Sequence, residues 1–264
     1  MIRAAFAVAT AFLLASCATT NMPPAQAVKD LAPTGKLRAV INYGNPILAG
    51  KDAAGQPKGV SVDLARELAR RLGVEAELVT VTSAGASVEA LAKGQVDVGF
   101  FALDPARAAT TAFTAAYIQI EGAYLVKNES PIKANEEVDR EGIRVAVGNR
   151  SAYDLYLTRE MKKAKLERAP TSPAVVDYFL ANKLDVAAGV KQQLEMDAKR
   201  LGGLRLLPGR FMVINQAMGM ARGKDEGAKY LTAFVEEMKA SGFVAEALAR
   251  HKIEGAIVAP PAGK

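Results

Sequence analysis

Gly59 to Val81, GVSVDLARELARRLGVEAELVTV, reads as a helix of known facing that runs directly into a strand. Leu64, Ala65, Leu68, Ala69 and Leu72 recur at three- and four-residue spacing, while Asp63, Arg66, Glu67, Arg70 and Arg71 fall on the opposite side. This spacing predicts one buried stripe on a solvated helix. Ser61 or Asp63 is placed to cap the first turn, Glu67 to pair with Arg70 and Arg71, and Gly73 to take the left-handed position after the last turn. Leu78-Val79-Thr80-Val81 follows as a short strand. With another strand, Lys36 to Asn42, ahead of it, the segment predicts a βαβ unit and a parallel sheet.

Outward from that unit, Asn42-Tyr43-Gly44-Asn45-Pro46 forms a loop at the carboxyl end of the first strand. Open parallel sheets meet their ligands at such ends, so the loop is a site candidate. Downstream, Ser87 to Lys93 reads as a short helix closed by Gly94, and Val96 to Phe101 as a strand. The plan then recurs, with a strand Ile143 to Val147, a helix Ser151 to Met161 and a strand from Leu166. A helix opened by Ser172-Pro173, with Ser as cap, and a strand Asp185 to Ala188 complete the repeat. Leu91-Ala92…Asp97-Val98 is echoed by Leu180-Ala181…Asp185-Val186, which predicts two α/β lobes of one plan. The extended stretches Glu121 to Lys127 and Gln216 to Ala221 flank the second lobe and are expected to cross between lobes. On this reading residues 36–124 begin the first lobe, 125–218 form the second, and 219–264 return to the first with helices over Ala228 to Met238 and Phe243 to Arg250.

The chain has 264 residues, half of them apolar, enough for a large core. Its formal charge is +6, but acids and bases are interspersed and no dense basic run appears. Such a surface is a solvated one and excludes a nucleic-acid footprint. One Cys and one His leave only His251, in the last helix, for a Cys/His metal site or a His-activated nucleophile, so neither metal nor cofactor is expected. Arg3 and the apolar run Ala4 to Leu14 read as a secretory leader, too short to span a bilayer. Leu14-Ala15-Ser16-Cys17 resembles the bacterial lipobox, in which the Cys is diacylated and becomes the new N-terminus after removal of the leader, here residues 1–17. Ala25-Gln26-Ala27 is a competing cleavage site that would discard Cys17 and release a soluble protein from Val28. Residues 18–35, with Pro23, Pro24 and Pro33, read as a tether.

A further set of motifs runs in order along the chain. It comprises Gly35-Lys36-Leu37-Arg38, Gly59-Val60-Ser61-Val62-Asp63-Leu64-Ala65, Leu72-Gly73-Val74, Leu91-Ala92-Lys93-Gly94, Asp104-Pro105-Ala106-Arg107 and Phe113-Thr114…Tyr117. From about Lys36 to Ile253 the chain resembles the extracellular solute-binding proteins of family 3, receptors of polar amino-acid ABC importers. The resemblance implies an α/β fold of the type II periplasmic-binding-protein kind, two lobes joined by two crossing strands with a ligand cleft between them. It implies a periplasmic protein that captures an amino acid or related small carboxylate by hinge closure and delivers it to an ABC permease complex in the inner membrane, with a lipid anchor if Cys17 is acylated.

Site residues follow from the resemblance. Arg107 matches an Arg that forks onto the ligand's α-carboxylate. Ser151 opens the first helix of the second lobe, as an anion site or as a simple cap with Asp154, and Arg150 beside it counts among the ligand contacts. Asn42, Tyr43 and Asn45 supply amides and an aromatic platform. The chain also departs from the family. Asp104 stands where Thr or Ser is usual, as a helix cap or a partner for a ligand cation. Val190 stands where the family has its amine-binding Asp, which leaves Glu121, at the start of the first crossing strand, as a source of negative charge. Lys191, Gln192 and Gln193 are candidate rim contacts. Two other functions stay open: an exported dehydratase-type enzyme using Asp104 or Glu121 as acid or base, and a ligand-sensing module for a membrane receptor.

Overall fold

The computed structural model describes residues 22–263; the leader, Cys17 and the first residues of the expected tether lie outside the described residues. In chain order, α1 (Ala25–Leu31) precedes β1 (Lys36–Asn42), a small hairpin of β2 (Gly50–Lys51) and β3 (Pro57–Lys58), α2 (Val60–Leu72), β4 (Glu75–Val81), α3 (Ala84–Ala92), β5 (Val98–Ala102) and the one-turn α4 (Pro105–Ala108). The long strand β6 (Thr111–Lys127) leads to β7 (Arg144–Gly148), α5 (Ala152–Glu160), β8 (Lys165–Ala169), α6 (Val175–Ala181), β9 (Val186–Val190), α7 (Lys191–Leu201) and β10 (Leu204–Leu206). The chain then returns through β11 (Met212–Ala221) to α8 (Asp225–Ala240), α9 (Phe243–Arg250) and β12 (Ile257–Val258).

The apolar stripe of α2 is buried as its spacing requires, with Leu64, Ala65 and Leu68 fully inside, and Gly73 closes the helix at φ 69°. Its start is built differently from the expectation. Gly59, at φ 122°, holds the cap position, where an added Cβ would lie 2.4 Å from the Leu48 carbonyl oxygen. Only glycine tolerates that combination. Neither Ser61 nor Asp63 caps the helix: the Ser61 amide donates to the Leu48 oxygen, and Asp63 accepts from Arg250 and hydrogen-bonds His251 at 2.8 Å. The lone histidine is therefore a packing partner between α2 and the end of α9.

In the first lobe, β1 lies between β4 and β5, all parallel, and in the second β7 lies between β8 and β9, again all parallel. β6 joins the two. Its first part runs antiparallel to β11, which itself pairs antiparallel with β5; from Gly122 to Leu125 it pairs antiparallel with β9. The crossing is thus a continuous pair of strands shared by both lobes, and one apolar core extends through it from Leu37 and Leu68 to Val145 and Leu157. Two smaller clusters are buried apart from it, one around Phe179 and Leu194 in the second lobe and one around Leu91 and Phe101 in the first.

The expected tether is corrected over residues 25–31. Prolines 23 and 24 precede α1 and Pro33 follows it, so none interrupts the helix, and Pro24 occupies its cap position. Ala27 and Leu31 are completely buried, and Asp30 accepts a hydrogen bond from the Gly227 amide in α8 at 2.9 Å. A further small correction concerns Ser172, which does not cap a helix: it begins a 3-10 turn, Ser172–Ala174, after Thr171. Leu31→Ala should cost about 2–5 kcal/mol of unfolding free energy in a urea titration of the mature protein, whereas a residue in a tether would leave the curve unmoved.

Candidate ligand-binding site

Between the lobes the carboxyl ends of the parallel strands converge on a cavity of about 50 Å³. β1 contributes Asn42 and the turn residues Gly44 and Asn45; β5 ends in Phe100, Phe101 and Ala102 and leads into α4, which carries Arg107. From the second lobe come Ser151, Ala152 and Tyr153 after β7, Ser172 after β8, and Val190 at the end of β9. Ile214 and Gln216 of the crossing strand β11 and Ser61 of α2 complete the wall together with Leu48 and Ala84. The topology explains the convergence, because each βα connection of a parallel sheet leaves on the same edge.

The Asn42 turn is tightly determined. Its Oδ1 accepts the Gly44 amide at 2.8 Å, and a Cβ on Gly44 would meet the Thr82 carbonyl oxygen at 2.4 Å. Asn45 Oδ1 is buried at the cavity wall without a hydrogen-bond partner among the described residues. α4 is set by Asp104, whose side chain accepts the Ala106 amide at 2.9 Å, and by Pro105 in the first turn. That short turn aims Arg107 inward, where 5% of it remains exposed.

Arg107 is the electrostatic centre. Nη1 donates to the Ala102 oxygen at 3.1 Å and Nη2 crosses to the Arg150 oxygen of the other lobe at 3.0 Å. A guanidinium carries five N–H groups, so these bonds leave donors for a bound molecule. No carboxylate among the described residues lies in ion-pair contact with it. Burial lowers its pKa to about 10, against the opposing pull of Asp104 and helped by repulsion from Arg150. It stays charged near neutrality, desolvated and without a counter-charge.

Ser151 is both a cap and part of the wall. Its Oγ accepts the Asp154 amide at 3.0 Å, and Asp154 in turn accepts the Arg150 amide at 2.7 Å. Tyr153 places its hydroxyl near the hydroxyls of Ser172 and Ser151, and burial pushes its pKa up to about 12. That hydroxyl nevertheless lacks a partner in hydrogen-bonding geometry among the described residues.

Other candidates sit elsewhere. Tyr43 is half-buried against the core with the Lys51 ammonium 5.5 Å from its ring centre, and it is not part of the cavity wall. Asp104 turns away, to the Arg159 guanidinium of the second lobe at 2.9 Å, which makes it a cap and a cross-lobe tie rather than a ligand for a cation. Glu121 is held by Lys191 at 2.9 Å and Arg210 at 2.7 Å, and those two cations, Lys191 first, keep its carboxyl below its ordinary range. It too is absent from the wall. Arg150 reaches the site through its carbonyl oxygen only; its guanidinium faces Glu89 of α3 at 3.9 Å. Gln192 bridges to the Glu254 oxygen at 3.1 Å, and Gln193 lines a smaller adjoining cavity.

The sequence reading missed Phe100, Phe101, Tyr153 and Gln216 and saw Ser61 and Ser172 only as caps. Ser172 was accessible in principle, since it follows a predicted strand and opens a helical turn at the edge where ligands bind. Among the described residues no group of His, Cys, Asp and Glu side chains is placed to hold a metal ion, and no helix is long and apolar enough to cross a membrane.

The fold matches several solved structures. A binding component of an ABC transporter from Wolinella succinogenes, complexed with lysine, is 24% identical with a TM-score of 0.71, over 82% of this chain and 95% of that one. A solute receptor for L-cysteine from Neisseria gonorrhoeae is 21% identical with a TM-score of 0.74, over 84% and 92%. An ancestral amino-acid-binding protein, a precursor of cyclohexadienyl dehydratase, is 21% identical with a TM-score of 0.71, over 84% and 97%. At these identities the likeness is one of fold. No curated protein matches the chain. The sequence profile of one family does match, across residues 37–252, and by that match the chain belongs to the bacterial extracellular solute-binding proteins, family 3.

Proposed function

We propose that the protein is the capture component of an ABC importer, closing its lobes over a small carboxylate solute and presenting the closed form to an inner-membrane permease. The observation that carries this reading is Arg107: a buried guanidinium at the wall of a cleft cavity, bonded to both lobes and lacking an acid among the described residues. Burying an unpaired charge costs free energy that a bound carboxylate recovers. The binding role of the family and the carboxylate-bearing solutes named for the lysine and L-cysteine relatives support the same reading.

Hinge closure is supported by ties across the lobes. Asp104 to Arg159, Arg107 to the Arg150 oxygen and Gln192 to the Glu254 oxygen all form only when the lobes are together. A dehydratase-type enzyme would need an acid or base at the wall. Asp104 and Glu121 are engaged by Arg159 and by Lys191 and Arg210, and neither reaches the wall, which favours binding over turnover.

Processing at Cys17 belongs to the same proposal. Cleavage after Ala27 would remove Ala25, Gln26 and the fully buried Ala27 from α1, whereas a chain beginning at Cys17 keeps that helix whole. The lipid-anchored form therefore fits the fold better than the soluble one. Intact-mass measurement of the mature protein should give a lipid-modified N-terminus at Cys17; an N-terminus at Val28 would remove the anchor.

Arg107→Ala should weaken carboxylate binding by about 2–4 kcal/mol in calorimetry. The melting temperature of the unliganded protein should change little, because losing two hydrogen bonds is offset by relief of the desolvated charge. Equal affinity in the variant would take Arg107 out of the site. Arg159→Ala leaves the Asp104 carboxylate short of a partner only in the closed form. After allowance for the exposure of Arg159, it should cost about 1 kcal/mol of ligand affinity and enlarge the radius of gyration of the unliganded protein in solution scattering.

A further inference from the structure

The cavity wall holds a cation and no anion. Its polar side chains are Arg107, Asn42, Asn45, the Ser151 and Ser172 hydroxyls, and others of the same uncharged kind; no Asp or Glu appears among the residues that line it or the small cavity beside it. The surrounding acids are all committed elsewhere. Asp104 is paired with Arg159, Asp154 with Arg168 and the Arg150 amide, Glu121 with Lys191 and Arg210, and Glu89 with Lys93 and Arg150. At the end of β9, Val190 presents an apolar side chain to the cavity.

An α-amino acid brings two opposite charges into such a site. Its carboxylate is satisfied by Arg107, but its ammonium is then stripped of water beside a guanidinium with no acid to receive it, and an uncompensated desolvated charge is strongly unfavourable. A carboxylate whose other polar groups are neutral oxygens avoids that cost. The wall is made for such groups, since Asn45 Oδ1 and the Tyr153 hydroxyl, on a residue 2% exposed, are buried there without partners among the described residues. Asn45 Oδ1 can accept from a ligand hydroxyl and the Tyr153 phenol can donate to a ligand hydroxyl or keto oxygen, and each buried polar atom left unpaired is costly.

Resting on the solute-binding reading above, we infer that the ligand is a small 2-hydroxy or 2-oxo acid lacking an ammonium group, rather than an amino acid. Val190 and the neutral wall are the specificity determinants: they admit the carboxylate and reject the zwitterion.

The test is a matched series on the mature protein by calorimetry: glycine against glycolate and glyoxylate, L-alanine against L-lactate and pyruvate, and L-2-aminobutanoate against its 2-hydroxy and 2-oxo counterparts. Within at least one set, an ammonium-free acid should bind about tenfold or more tightly than the amino acid. An amino acid binding as tightly as its hydroxy and oxo counterparts, or more so, overturns the inference while leaving carboxylate capture by Arg107 intact. Absence of binding by every compound, up to about 10 mM, overturns both the inference and the carboxylate-capture reading. Val190→Asp supplies the missing acid and should reverse the preference in the set that binds, gaining for the amino acid and losing for the hydroxy acid; an unchanged order in a variant that melts like the parent also overturns the role given to Val190. The comparison in the unsubstituted protein stands without that variant.

Discussion

The antiparallel pairing of β6 with β11 is the constraint on which the rest depends. β6 runs from Thr111 to Lys127 as one strand, paired with β11 through most of its length and with β9 at its far end. Both parallel ladders are therefore hydrogen-bonded to the same ribbon within one continuous sheet. The register of β11 shifts between Gln216 and Gly219, where it lies against the first part of β6, and Gln216 itself faces the cavity. Such irregularities occur where a ladder must re-aim a side chain or change direction. The ribbon also fixes which ends of the parallel strands oppose one another across the cleft, so the site is a consequence of topology before it is one of chemistry.

How much of this can be seen in the residues alone depends on the range of the interaction that decides each feature. The facing of α2 follows from Leu64, Leu68 and Leu72, and the left-handed Gly73 from its place after them, because helix period and capping are local. Asn42, Asn45, Arg107, Ser151 and Val190 lie at the cavity wall for a related reason: each follows a strand end that the hydrophobic pattern marks. The fate of the charged candidates could not be seen. Asp104 meets Arg159 across 55 positions and Glu121 meets Lys191 across 70, and no periodicity connects such pairs. Tyr43 beside its loop faces the core rather than the cleft because Tyr43 packs on one side of the turn that Gly44 and Asn45 present on the other. Likewise α1 was hidden behind its prolines, whose meaning reverses once they are seen to flank a helix; what stabilises it is packing on α8, far along the chain.

Charge placement joins these observations. Asp104 stands within the electrostatic reach of Arg107, yet its ion pair goes to the opposite lobe, and Asp154 spends itself on Arg168 and the Arg150 amide. Asp104 ties α4 to α5 of the other lobe, Asp154 anchors α5 to Arg168 and the Arg150 amide within the second lobe, and both leave the cavity itself without negative charge. Had either turned inward, Arg107 would be neutralised from within and a bound anion would gain little. The separation of structural acids from the cavity is what leaves Arg107 available.

Arg107 also explains why binding and closure would be one event. It belongs to the first lobe through α4, but its Nη2 donates to a carbonyl of the second, so its most desolvated state exists only when the lobes meet. On the capture reading, the guanidinium would be hydrated in an open form and would exchange water for carbonyl oxygens on closing; in the structure burial lowers its pKa to about 10. A guest carboxylate supplies the counter-charge in the closed form, where the dielectric is lowest and the interaction strongest, and much less in the open one. On the capture reading proposed above, that difference in affinity, not affinity itself, would shift the population toward closure.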